Sequence, residues 1–161
     1  MDKLIFLELY NLSKKNRSIK YINDSIVKLS SKFFFTIYVF FCVILVFEGN
    51  SKVINFLLSP LFLLITNICL RKIFKRIRPY EKMNLHTSNI KKSFSFPSNH
   101  AACSSVIATV CFFINPYFGI ILIICSFITG ISRIISGLHY PSDIFVGWLV
   151  GFLFGFIGFT L

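Results

Sequence analysis

Three residues near the C-terminus carry the strongest chemical signal in the chain: Arg133, His139 and Asp143, in Ser132-Arg133-Ile134-Ile135-Ser136-Gly137-Leu138-His139-Tyr140-Pro141-Ser142-Asp143. An imidazole with a carboxylate four residues on can have one ring nitrogen oriented by the acid and the other left free to attack. A forked, permanently charged guanidinium beside them suits a tetrahedral oxyanion such as phosphate. Two upstream clusters offer matching groups. The run Arg71-Lys72-Ile73-Phe74-Lys75-Arg76-Ile77-Arg78-Pro79 supplies two more forks, Arg71 and Arg78, with Lys72, Lys75 and Arg76 available to add field. The second cluster, Pro97-Ser98-Asn99-His100, reads as a helix start, whose unpaired N–H groups and positive dipole end favour an anion. Ser98 is a cap there and compatible with phosphate. His100 is a second imidazole, so nucleophile and acid duties can be divided. Basic residues beside a membrane ordinarily meet lipid head groups, and Lys75, Arg76, Lys91 and Lys92 are given that role, with His86 an interfacial residue.

These clusters sit between runs that only a membrane explains. The 161 residues make one domain that is 55% hydrophobic, with mean hydropathy +0.76, far above a soluble composition. A net charge of +11 suggests anionic lipid head groups or phosphate esters as partners, and no nucleic-acid motif argues otherwise. Apolar runs at 33–47, 53–70, 98–114, 117–135 and 144–161 give five spans. Pro60 should kink the second. Asn115-Pro116 forms a tight turn that makes the third and fourth spans antiparallel neighbours. Counting crossings puts all three polar clusters on one side. The predicted fold class is therefore all-α: an integral membrane bundle of about five transmembrane helices (33–161), preceded by a basic amphipathic segment (1–32). Ile19, Ile22, Ile26 and Leu29 recur at helical spacing in that segment, as in an interfacial helix that anchors and takes no part in a site. It lacks signal-peptide features, so the first apolar run should be retained.

Gly147, Gly151 and Gly155 stand on one side of the last span, where another backbone can approach. Packing within the chain is the preferred reading, with a homodimer through the same stripe as its rival. The five cysteines lack zinc-site spacing and read as small packing residues. No metal and no cofactor is expected.

The motifs Arg71-x6-Arg78-Pro79, Pro97-Ser98-Asn99-His100 and Ser132-Arg133-x5-His139-x3-Asp143 resemble the three-part signature of the type-2 phosphatidic-acid phosphatase superfamily, in the right order. Two positions depart from it: Arg71 stands where Lys is usual, with Lys72 adjacent, and Asn99 where Gly is usual. Asn tolerates a left-handed backbone, so an N–H aimed at phosphate survives. The resemblance implies that Arg71, Arg78, Ser98, Arg133 and the Asn99 N–H hold the phosphoryl oxygens. It also implies that His139 attacks phosphorus to give a phosphohistidine, oriented by Asp143, and that His100 protonates the leaving oxygen and then activates water.

Small size and an amphipathic N-terminus look most like bacterial undecaprenyl-diphosphate phosphatases of the bacitracin-resistance type. Phosphatidate or phosphatidylglycerol-phosphate phosphatases, a lipid phosphotransferase, and a non-catalytic basic membrane protein are the alternatives. The expected setting is the cell membrane. There the positive-inside rule puts the site in the cytoplasm, because residues 1–32, 71–97 and 133–143 carry sixteen of the seventeen basic residues. The resemblance implies the outer face, and that face is the one expected.

Overall fold

The computed structural model describes residues 2–85, 87 and 93–160; His86, Lys91 and Lys92 lie outside the described residues. Those described form helices and connections without a strand: α1 (Asp2–Lys15), α2 (Arg17–Phe47), α3 (Val53–Phe74), α4 (Pro79–Lys82), α5 (Asn99–Ile114), α6 (Pro116–Ile135) and α7 (Pro141–Thr160).

The basic N-terminal segment divides at Asn16, whose side chain accepts from the N–H groups of Ser18 (2.8 Å) and Ile19 (3.4 Å) and so caps a new helix. Nothing between Arg17 and Phe47 breaks α2, because that stretch contains neither Gly nor Pro. Its 31 residues make about 46 Å of helix against roughly 30 Å of hydrocarbon, which leaves room for its basic first turns in the head-group region. Asn23, Val27, Ser30 and Phe34 face the bundle, whereas Ile19, Ile22 and Leu29 face outward. The amphipathic pattern thus marks the side turned away from the protein.

Among the described residues four stretches are long and apolar enough to cross a membrane: Arg17–Phe47, Val53–Lys82, Pro116–Ile135 and Pro141–Thr160. The fifth expected span, α5, has only 16 residues. It is enclosed by its neighbours, with Ala101, Ala102, Val106, Ala108, Val110 and Cys111 all buried, so it need not match the lipid thickness itself. Helix α3 continues through Pro60. Asn115 both ends α5 and caps α6, accepting from Phe118 N–H at 3.1 Å, which builds the expected hairpin.

The glycine stripe of α7 is spent inside the chain. A Cβ on Gly151 would stand 2.3 Å from the Ala102 carbonyl oxygen, one on Gly147 2.8 Å from that of Ser98, and one on Gly155 2.7 Å from Thr109 Cβ. Helix α5 packs against Gly147, Gly151 and Gly155, the packing within the chain that the sequence favours over a homodimer through the same stripe. This seam sets the start of α7 against the start of α5, where the polar clusters meet.

Candidate active site

The site lies where α3 and α6 end and α5 and α7 begin. Three connections are stitched together there by backbone bonds: Tyr80 N–H to Gly137 O (3.1 Å), Ser95 N–H to Arg76 O (2.8 Å) and Ser98 N–H to Asp143 O (3.0 Å). Gly137 has φ +77°, and a Cβ there would press on the Tyr10 ring at 3.3 Å. A glycine is needed both for that backbone and for the close approach of α1.

Arg78 is the hub. Its buried guanidinium donates through Nε to Ser93 O (2.7 Å), through Nη2 to Ser93 Oγ (2.9 Å), and through Nη1 to Leu138 O (3.0 Å). The same Nη1 meets His139 Nε2 at 3.2 Å. Arginine can only donate, so Nε2 presents its lone pair and the ring proton belongs on Nδ1. Nδ1 faces Asp143 Oδ2 at 3.6 Å. Asp143 is in turn fixed on both oxygens: Oδ2 accepts from Tyr140 N–H (2.9 Å) and Oδ1 from Arg76 Nη1 (2.6 Å). Burial, assisted by the nearby Arg78 charge and opposed by Asp143, pushes the His139 imidazole down to about 4, so the ring is neutral at ordinary pH. A neutral imidazole whose Nε2 lone pair is held by a guanidinium is the equipment of a nucleophile toward phosphorus once a phosphoryl group takes over that guanidinium.

The remaining predicted residues divide. Arg71 grips the Pro97 carbonyl with Nε (3.0 Å) and Nη2 (2.9 Å), at the entry of α5. Lys72, next to it, is exposed, and among the described residues no polar contact of its side chain is recorded. Ser98 is buried and its hydroxyl accepts from Ala101 N–H at 3.5 Å, the capping role. Asn99 does not take the left-handed backbone expected of a Gly substitute. It is the first residue of α5, and the only non-glycine residues with positive φ among those described are Lys75 and Asn84. Its N–H is offered by the helix start instead, and its side-chain oxygen accepts from buried Asn67 at 3.1 Å. Arg133 turns to α2, donating to Val27 O (2.9 Å) and Ser30 Oγ (3.1 Å), while its buried Nε has no partner among the described residues. That contact ties α2 to the end of α6, and the Arg133 guanidinium also lies within charge range of Arg78, the residue that meets His139.

His100 and Asn99 line one wall of a cavity of about 610 Å³ between α2, α3 and α5. The other walls are mainly apolar, including Phe34, Leu57, Leu61 and Leu64, with Ser30, Ser31, Ser104 and Thr129 among them.

Two residues correct the sequence reading. Arg76, assigned to lipid head groups, instead bridges Asp143 Oδ1 and Asp2 Oδ2, both at 2.6 Å. Residues 1–32, read as anchor alone, supply that Asp2, which also accepts from Ser142 N–H (3.0 Å) and Ser142 Oγ (2.7 Å). Burial raises the Asp2 carboxyl, but the Ser142 and Arg76 contacts outweigh it and leave the group below its ordinary value. For Arg76 the only signal was its place in the basic run that ends at Arg78. None existed for Asp2.

With this geometry, comparison with known proteins is direct. Residues 52–161 match the PAP2 superfamily, and the chain belongs to it: a multi-pass membrane protein of the lipid-phosphatase class. It is 27% identical over 164 residues to the undecaprenyl-diphosphatase BcrC of Bacillus subtilis (strain 168), an alignment spanning 99% of this chain and 83% of that protein. Its fold is shared with Aquifex aeolicus LpxE at a TM-score of 0.76 and 23% identity, covering 99% of this chain and 95% of that one. A PAP2-type phosphatidylglycerolphosphate phosphatase from Bacillus subtilis gives 0.60 at 22% identity, with 96% and 90% covered.

Proposed function

We propose that the protein converts undecaprenyl diphosphate to undecaprenyl phosphate. His139 Nε2 attacks the terminal phosphorus, the bond from phosphorus to the bridging oxygen breaks, and His100 gives that oxygen its proton. Water, deprotonated by His100, then cleaves the phosphohistidine and releases phosphate. Asp143 holds the Nδ1 proton and balances the imidazolium that forms. Arg71, Arg78, Arg133, Ser98 and the Asn99 N–H neutralise the charge that grows on the equatorial oxygens. Lys72 contributes field alone.

The observation that carries this reading is the His139 lone pair, set by Arg78 on one side and Asp143 on the other. The apolar cavity under His100 supports a lipid substrate, since it offers hydrocarbon a place beside a polar end. Similarity to the BcrC protein along nearly the whole chain favours the polyprenyl diphosphate. Likeness in fold to the phosphatidylglycerolphosphate phosphatase supports a phosphoglyceride as the second reading. Phosphate release from a panel of purified lipid monophosphates and diphosphates in detergent tests both. The diphosphate should give the highest kcat/KM, and a preference for phosphatidylglycerol phosphate reverses the order. Detection of a phosphorylated acceptor other than water would mark a transferase.

The setting we propose is the cell membrane with the site on the outer face, where a diphosphate carrier left by wall synthesis is recycled. Cysteine placed in the 82–92 loop of a variant without native cysteines should react with an impermeant thiol reagent on intact cells. Labelling only after lysis assigns the site to the cytoplasm.

A further inference from the structure

Helix α7 begins at Pro141, so Tyr140 is the residue that flanks its start, and a tyrosine cannot cap the first turn. Half of a capping arrangement is nevertheless present: Asp143, in the third position of α7, reaches back to the Tyr140 N–H at 2.9 Å. The other half comes from a different helix. Asp2 of α1 accepts from the Ser142 N–H at 3.0 Å and from the Ser142 hydroxyl at 2.7 Å. It also holds Arg76 Nη2 at 2.6 Å, while Nη1 of the same guanidinium holds Ser142 Oγ and Asp143 Oδ1.

Arg76 is thereby clamped between two carboxylates and lies over the Tyr140 ring, 4.1 Å from its centroid. Its own carbonyl is taken by Ser95. Helix α1 is seated to make this possible, with Phe6 against Tyr140 at 5.6 Å between ring centroids and Tyr10 against Gly137. Phe6 and Tyr10 are both buried, so α1 is docked by packing and the carboxylate is aimed by that docking.

We propose that Asp2 and Arg76 are positioning residues for the reaction: the N-terminal helix caps α7 in trans and fixes the rotation of the Asp143 carboxylate, and through it the His139 ring. A carboxylate whose Oδ1 is anchored by a guanidinium cannot turn about its Cβ–Cγ bond. Its Oδ2 therefore stays toward Nδ1, and the Nε2 lone pair stays on the line of attack. Without the clamp the same carboxylate keeps only the Tyr140 N–H on Oδ2, and its Oδ1 has lost the anchor that opposes rotation. The inference rests on the assignment of His139 and Asp143 as the reacting pair, and it makes α1 a component of the active site as well as a membrane anchor.

The test is steady-state hydrolysis of the preferred lipid diphosphate by purified full-length Asp2→Asn, Asp2→Glu and Arg76→Lys. Glu8→Gln, an exposed acid on the same helix, is the control. Tm in detergent is recorded on each preparation. Asp2→Asn should lose about tenfold or more in kcat with KM close to wild type, because alignment and not binding is lost. Asp2→Glu should recover part of it, Arg76→Lys should fall like Asp2→Asn, and Glu8→Gln should match wild type. A purely structural role would lower Tm and yield while the folded fraction kept its kcat. Wild-type kcat in Asp2→Asn, alongside an inactive His139→Ala, overturns the inference and leaves the proposed function standing. Absence of turnover by the wild-type protein on every lipid phosphate refutes the proposed function, and this inference with it.

Discussion

Acidification probes the His139 environment directly. In the folded protein burial holds this imidazole down to about 4, from an ordinary value of 6.5. At about pH 5.5 a nucleophile with pKa near 4 is roughly 97% unprotonated, and one near 6.5 only about 10%, a difference of about tenfold in the reactive fraction. The kcat/KM profile should therefore stay flat on the acid side well below pH 6.5 and bend only toward pH 4. Stability follows the same sign. The folded pKa is depressed, so the neutral ring contributes its full stabilisation above about pH 6.5 and loses it as pH falls through about 4. The assay is phosphate release from a lipid diphosphate across about pH 4 to 8 in constant ionic strength, with a second substrate of different phosphate pKa to separate substrate ionisation from that of the enzyme. A bend near pH 6.5 shared by both substrates would show a solvated imidazole and refute the buried, guanidinium-facing geometry.

Three further outcomes are expected. His139→Ala should abolish turnover, and Asp143→Asn should lower kcat by roughly 10²-fold or more by releasing the tautomer, both read from phosphate release by folded protein. Activity on a lipid monophosphate should persist in excess chelator, since arginines supply the charge that a metal would; restoration only by added magnesium would point to other chemistry. Gly151→Val should reduce Tm and folded yield sharply, because its side chain would enter the Ala102 backbone, a clash that shifting a side chain cannot relieve.

What the sequence made legible was the chemistry carried by spacing. Arg78, His139 and Asp143 are brought together because span order alone returns their segments to one face, and Ser98 caps α5 as a Pro-Ser start implies. The turn at Asn115-Pro116 was readable for the same local reason. Asp2 was not readable: its partners lie 74 and 140 positions away, and no periodicity connects them. The contacts of Arg76 are not legible in the sequence because its direction depends on Lys75, a left-handed residue at φ 45° that closes α3, and nothing in the composition singles out that backbone. The additional bonds of Arg133 to carbonyl and hydroxyl groups on α2 are not legible in sequence order, because nothing local aligns that helix with α6. The break at Asn16 follows a local capping signal, whereas the repeat of Ile19, Ile22, Ile26 and Leu29 reports only the side turned away from the protein.

The cavity beneath His100 has a consequence for how the enzyme must be measured. Its rim includes Phe35, Leu57, Leu58 and Leu61, all exposed on the flank of the bundle, so the route to it runs through hydrocarbon and not through bulk water. A substrate using that route arrives by two-dimensional diffusion within the membrane, and its product departs the same way. The concentration the protein senses is then a mole fraction among lipids. Diluting the substrate with inert detergent at fixed bulk concentration should slow the reaction, and adding water to the same mixed micelles should leave each micelle's turnover unchanged.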